Sequence, residues 1–332
     1  MNRVTPTIRQ PRVRIVAGML AGSLALCAAG LQAQTFPVKP LRLISPFPPG
    51  GGNDILSRAI AAPMTKGFGQ QVIVDNQPGA NTIIGLDLIA KGQTDGYAVV
   101  MASSSFTINA TLYEKLPYDS AKDFAAVVMV AYTPYIVAVY PGLPVHNVKD
   151  LIALARSQPG KLSYPSAGIG NPSHLSVELF ASMAGLDMLH VPYKGNGPGL
   201  VDLVAGRHAL TINTSLSVAN FVGSGKLRAI AITSTSRAAS MPDLPTVAES
   251  GLPGYESSSW YGLLARAGTP RPLLGRWNSE VVNALAQPEV KKLLASQDLT
   301  PVGNTPEQFG SIIQTDIGKW AKIIKATGAK AE

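Results

Sequence analysis

Cysteine is nearly absent from this sequence: Cys27 is the one thiol in 332 residues, and it falls in a segment that reads as a removable leader. A mature chain without it forms no disulfide, offers no thiolate nucleophile and binds no metal through sulfur. Histidine is scarce too. His146, His174, His190 and His208 are scattered, none is followed by Glu as in His-Glu-x-x-His, and no metal-ligand spacing emerges. No Gly-x-Ser-x-Gly elbow and no Ser-x-x-Lys occurs. A Ser-His-Asp triad drawn from distant residues leaves no such signature, so a periplasmic hydrolase stands as the least favoured alternative. Charged residues make up only 14% and aromatics 6%. Beyond the leader there is no run of about 18 uninterrupted apolar residues of the kind that spans a bilayer. What is plentiful is apolar residues, at 46%, enough for a large core without covalent staples.

The net charge of +8 invites a nucleic-acid reading, but its distribution argues otherwise. Residues 1–33 place Arg3, Arg9, Arg12 and Arg14 ahead of an apolar run from Ile15 to Leu31 and contain no acid, the layout of a secretory signal peptide. Cleavage after Ala33 fits best, although Leu31 is bulkier than the usual small residue. Lipidation of Cys27 is disfavoured by Leu26 before it. The remaining 299 residues carry +4, spread along the chain with no Lys/Arg stripe interleaved with aromatics. No nucleic-acid partner is expected, and an exported protein stabilised by its core fits a bacterial periplasm.

The mature chain alternates short β-branched runs with amphipathic stretches, the pattern of an α/β protein with largely parallel sheets. Strands are predicted at Leu41–Phe47, Gln71–Asp75, Tyr97–Met101, Ile136–Tyr140, Leu162–Tyr164, Leu189–Pro192, Leu210–Asn213 and Leu227–Thr233. Helices are predicted at Asp54–Lys66, Thr82–Lys91, Val148–Ser157, Ser173–Ala184 and Gly199–Ala205. Pro63 should kink or end the first of these. The tail from Thr269 to Lys325 reads as purely helical, restarted at Pro272, Pro288 and Pro306. Ala125–Tyr140 and Tyr255–Ala265 run on as strand without a clear helix, as in a chain that crosses to a second domain and returns. The expected division is a leader at 1–33, a discontinuous first domain of 34–134 and 252–332, and a second domain of 135–251.

Two loops hold the candidate binding chemistry. The first, Ser45-Pro46-Phe47-Pro48-Pro49-Gly50-Gly51-Gly52-Asn53-Asp54, lies between a strand and a helix. Its glycines permit close backbone approach, and the helix behind presents unpaired N–H groups and a positive dipole end. It lacks the lysine of a phosphate loop and the Gly-x-Gly-x-x-Gly spacing, which disfavours a nucleotide. Asn53 or Asp54 as a plain N-cap is the competing reading. The second loop, Tyr164-Pro165-Ser166-Ala167-Gly168-Ile169-Gly170-Asn171-Pro172-Ser173-His174, repeats the arrangement, with Asn171 or Ser173 as cap. Loops of this kind at strand carboxyl ends could meet across a cleft. Neither contains Arg or Lys, so a carboxylate would be held by backbone amides, hydroxyls and water. The nearest cations are Arg58 inside the first helix and Lys194, of which Lys194 could add charge, against the commoner fate of solvation. Ser103 and Ser104 after the third strand, and Asn213 and Thr214 after another, are further candidate donors or plain turn residues. His174 could contact ligand or serve as a structural hydrogen-bonder, and Trp260 and Tyr261 could wall the cleft or pack a domain junction.

At these residues the sequence resembles the tripartite tricarboxylate transporter substrate-binding family, the TctC-like Bug receptors. The matching segments include Phe36-Pro37-Val38-Lys39-Pro40-Leu41-Arg42, the Pro-Pro-Gly-Gly-Gly-Asn-Asp loop, Val74-Asp75-Asn76-Gln77-Pro78-Gly79-Ala80-Asn81, Lys115-Leu116-Pro117-Tyr118-Asp119, Ser166-Ala167-Gly168, Val191-Pro192-Tyr193-Lys194-Gly195 and Trp260-Tyr261-Gly262. The resemblance implies a type II-like periplasmic binding protein, a Venus flytrap of two α/β domains with a ligand cleft between them. It implies a small carboxylated solute clamped between the two loops, delivery to membrane permease subunits, and no enzyme activity, metal or cofactor. A monomer suffices for delivery, and a ligand-sensing receptor is the related alternative. Asn53 stands where the family usually has Thr or Ser, Ala110 where it has proline, and Asn171-Pro172 alters the second loop. The last change bears on ligand identity.

Overall fold

Strand β1 (Leu41–Ser45) has Leu41, Leu43 and Ile44 buried in succession, the pattern of a central strand covered on both faces. In the computed structural model it pairs in parallel with β2 (Val72–Asn76) on one side and β3 (Ala98–Ser103) on the other. The structure describes residues 1–2, 36–50, 52–193, 196–238 and 240–330. The expected leader with its cleavage point and Cys27, together with Gly51 and Lys194, lies outside the described residues. Residues Lys39–Glu332 form one compact unit.

The sheet continues from β3 to β9 (Ser258–Arg266), from β9 to β4 (Phe124–Val139), and from β4 to the short β10 (Thr300–Pro301), each pairing antiparallel. Strand β4 is the axis of the architecture. Its first eleven residues pair with β9 and its last five, Tyr135–Val139, lie between β7 (Leu210–Thr214) and β8 (Arg228–Ile232). Strands β5 (Ser163–Ser166) and β6 (Leu189–Pro192) form a separate parallel pair. The expectation of largely parallel sheets is therefore corrected. Among the described strand-to-strand ladders only β1–β2, β1–β3 and β5–β6 are parallel, because every partner of the long through-running β4 meets it from the opposite direction.

Two cores sit at the two ends of β4. One joins Ile44, Val100, Leu264 and Met129 to Phe106, Trp260 and Phe309. The other joins Tyr135, Val137 and Val139 to Leu210, Ile212, Val177 and Phe180. Helix α1 (Gly52–Phe68) runs through Pro63 without ending, against expectation. Leu56, Ile60, Met64 and Phe68 recur every fourth residue and are all buried, and that packing outweighs the one backbone hydrogen bond that proline removes. After the 3-10 turn at Ala80–Thr82 come α2 (Ile83–Ala90), α3 (Ser105–Leu112), α4 (Val148–Ser157), α5 (Pro172–Ala184), α6 (Asn196–Val204) and α7 (Ser215–Gly223). The tail holds α8 (Arg271–Leu285), α9 (Pro288–Ser296) and α10 (Pro306–Thr327), with proline in the first turn of each as expected. It is not purely helical, since β10 interrupts it and caps the edge of β4.

Candidate functional site

The first loop is organised from inside. The Ser45 hydroxyl donates to Asn53 Oδ1 and Asn53 Nδ2 donates to the Met101 carbonyl, each at 2.9 Å, so the buried Asn53 amide ties the start of α1 to β1 and β3. Gly50 N–H donates to Asp54 Oδ2 at 2.9 Å, and Asp54 Oδ1 receives Asn76 Nδ2 at 2.9 Å and faces Arg58 at 3.0 Å. Burial opposes ionisation of Asp54, but the hydrogen bonds from Arg58, Gly50 and Asn76 prevail and hold its carboxyl below the usual range. Its charge is thus matched behind the loop. The φ of +81° at Gly50 places it in the left-handed region, where a side chain would be strained.

The second loop rests on a stacked histidine pair, His174 buried and His190 half-buried. The rings of His174 and His190 stack with centroids 3.8 Å apart. Gly170 N–H donates to His174 Nδ1 at 3.1 Å, and Ser166 Oγ, 2.6 Å from His190 Nε2, accepts from Gly168 N–H at 3.1 Å. Burial and the neighbouring ring hold His174 down to about 3, and burial holds His190 down to about 4. Asn171 caps α5 by accepting from Ser173 N–H at 3.0 Å. A third corner is made where β7 ends: Asn213 and Asn196 exchange amide hydrogen bonds of 2.9 and 3.2 Å.

These corners enclose a cleft of about 540 Å³. Five helices begin on its wall. Gly52 opens α1, Ser105 opens α3, Pro172 opens α5, Asn196 opens α6, and Thr214 precedes α7. Neither Ser104 nor Thr214 makes a side-chain cap hydrogen bond, which leaves first-turn N–H groups of α3 and α7 without that partner. Ser103 Oγ is buried at the cleft with no protein partner. Among the described residues that line the cleft there is no Arg, Lys, His, Asp or Glu. Tyr135 and Tyr261 complete the wall, and burial pushes both phenols upward, so they present neutral hydroxyls. The arrangement can stabilise an anion through converging helix ends and N–H groups without a countercharge.

Of the residues expected to bind, Pro48, Pro49, Gly50, Gly52, Asn53, Ser103, Asn171, Asn213 and Thr214 line the cleft. Asp54, Ser104, Ser166, Ala167, Gly168 and His174 stand outside its wall. Ser104 shares a buried 2.9 Å hydrogen bond with Ser259, and Trp260 is a core residue whose indole N–H donates to Asp316 at 2.6 Å. Tyr135, Asn196 and Ser259 also line the cleft and carried no sequence signal: two sit inside strands, and Asn196 reaches the site only through its pairing with Asn213. Among the described residues no group of three or more His, Cys, Asp or Glu side chains is placed to hold a metal.

A two-lobed α/β scaffold with helix ends converging on such a cleft defines a periplasmic solute-binding receptor. The sequence profile of TctC, the tripartite tricarboxylate transporter family receptor, matches residues 56–329, and the chain belongs to that family. It is 35% identical over 321 residues to Protein BugT of Bordetella pertussis, covering 96% of this chain and 98% of that one. R. palustris Rpa4515 with adipate superposes with a TM-score of 0.79 at 34% identity, over 89% of this chain and 99% of the other. MatC (Rpa3494) from Rhodopseudomonas palustris with bound malate gives 0.75 at 28% identity, over 87% and 100%. Members of the family are solute receptors of the periplasm, not enzymes. Among the described residues no helix is long and apolar enough to cross a membrane.

Proposed function

We propose that this chain, freed of residues 1–33 on export, captures a small carboxylate in the 540 Å³ cleft and delivers it to the permease subunits of a tripartite transporter. The observation that carries the reading is the gathering of five helix N-termini around a wall whose described residues include no charged side chain. Such a wall favours an anion small enough to meet several N–H groups at once. Adipate in Rpa4515 and malate in MatC support a carboxylate as the captured group. Residues 34–134 with 252–332 form one lobe and 135–251 the other, and contacts from both draw the protein toward a closed form.

The test is a thermal-shift screen of residues 34–332 against mono-, di- and tricarboxylates and their uncharged amides. An acid at about a thousand times its dissociation constant stabilises the fold by about 4 kcal/mol. One acid shifting the melting curve while its amide does not is the expected result. Equal shifts by acid and amide would sink the anion-anchoring argument.

A further inference from the structure

A second cavity adjoins the cleft and shares Gly52, Thr214 and Tyr261 with its wall. Beyond those shared residues its character changes. Ile55 and Leu56 of α1, Leu293 and Leu294 of α9, and Leu299 supply its surface. Ile55, Leu293 and Leu299 are only half-buried, leaving apolar surface that a ligand would cover. None of the described residues lining it is charged, and its polar groups are Thr133 and Gln297 besides the shared residues. Asp298, between the lining residues Gln297 and Leu299, accepts the Ser215 hydroxyl one residue beyond Thr214.

We infer that this annex takes the uncharged alkyl end of the ligand, so that the solute is an aliphatic monocarboxylate and not a diacid. The inference rests on carboxylate anchoring in the cleft. A second carboxylate entering the annex would lose its water against Ile55, Leu56, Leu293, Leu294 and Leu299, with Asp298 beside two of the lining residues. An alkyl end instead removes its own surface and that of Ile55, Leu293 and Leu299 from water. The annex is far smaller than the cleft, about 30 Å³ against about 540 Å³, and so serves one end of the solute while the cleft holds the rest.

Hexanoate and adipate test this directly, since they share a six-carbon chain and differ at one end. Calorimetric titration of residues 34–332 should show hexanoate binding at least tenfold more tightly than adipate, with hexanamide inert. In Leu293→Lys, an amine at the annex reverses the preference toward adipate; because Leu293 is half-buried, the fold tolerates the change, and Gln297→Lys provides a second position for the same cation. Adipate binding as tightly as hexanoate, with hexanamide still inert, would overturn the monocarboxylate class and leave anchoring intact. Hexanamide binding as well as hexanoate would overturn the anchoring itself. No binding of hexanoate at millimolar concentration also overturns the inference.

Discussion

At the residue scale the two loops are held by different chemistry, and each makes a prediction. His174 can accept from Gly170 N–H only while its ring is neutral, and Glu178, 3.7 Å from Nε2, already accepts the Tyr164 hydroxyl. The folded ring is held down to about 3 by burial and the adjacent His190, whereas an unfolded histidine takes its proton near 6.5. Between those values the unfolded chain binds more protons than the folded one. The stabilising effect is complete above about pH 6.5 and is lost as pH falls toward 3, by up to about 1.4 kcal/mol per pH unit for His174. Urea unfolding at pH 7, 6 and 5 should show this fall, and His174→Asn, whose Oδ1 can replace the acceptor nitrogen, should lessen it, with His190 keeping its own share. An identical slope in the variant would remove His174 from the account. Ser103 presents the opposite case, a buried hydroxyl with no protein partner facing the cleft. Its loss in Ser103→Ala should leave the melting temperature unchanged and weaken carboxylate binding about tenfold or more, the size of a hydrogen bond to a charged acceptor. Unaltered affinity by titration calorimetry would place the ligand elsewhere in the cleft.

At the scale of elements, β4 decides the fold. Its run of apolar and β-branched residues without a helical period made a strand legible from Ala125 onward, and the observed Phe124–Val139 agrees closely. The direction of its partners was not legible, because strand polarity depends on where distant segments return and not on local periodicity. Helix α3 escaped for a related reason: Ser103-Ser104-Ser105 reads as a polar turn, yet Phe106, Ile108 and Leu112 are buried, the last two against Trp320, Ile323 and Ile324 of α10. Likewise the glycines and Asn171 marked the site, whereas Tyr135 and Ser259 did not, since strand side chains enter a site only when the sheet brings them there. Where β4 changes partners it is welded by one side chain. Tyr135 N–H donates to Thr233 Oγ1 at 2.7 Å, and that hydroxyl lies 2.5 Å from the Ser257 carbonyl, all buried. Thr233→Val keeps the shape and strands the Tyr135 N–H, so unfolding free energy should drop by about 1–3 kcal/mol in urea titrations. A variant as stable as the parent would show that the backbone pairings alone hold the junction.

At the scale of the whole molecule, two apolar clusters lie along one strand, and a third packs Leu175 of α5 with Ile108 and Leu112 of α3 and Trp320 of α10. The cluster around Phe106, Trp260 and Phe309 shares no member with the cluster around Val137, Ile212 and Phe180, and β4 runs through both. Two clusters on a shared strand can change their relative angle at the cost of bending that strand and the 233–257 connection and of sliding Leu175 against Ile108, Leu112 and Trp320. The cleft lies where this motion would act, since Tyr135 of β4 and Ser259 of β9 are part of its wall. A ligand touching α1 and α3 on one side and α5, α6 and α7 on the other gains its full set of N–H contacts only when the sides approach. Its differential affinity for that form sets how far the population shifts, and moving it from mostly open to mostly closed takes about 10⁴-fold preference. Small-angle scattering on residues 34–332 should therefore show the radius of gyration falling on saturation with a carboxylate that calorimetry has shown to bind. Thr233→Val, by loosening the weld, should raise the free protein's radius while leaving that of the bound form unchanged. Binding without any change in radius would mean that the cleft is rigid, and the division into a 34–134 plus 252–332 lobe and a 135–251 lobe would then describe architecture without motion.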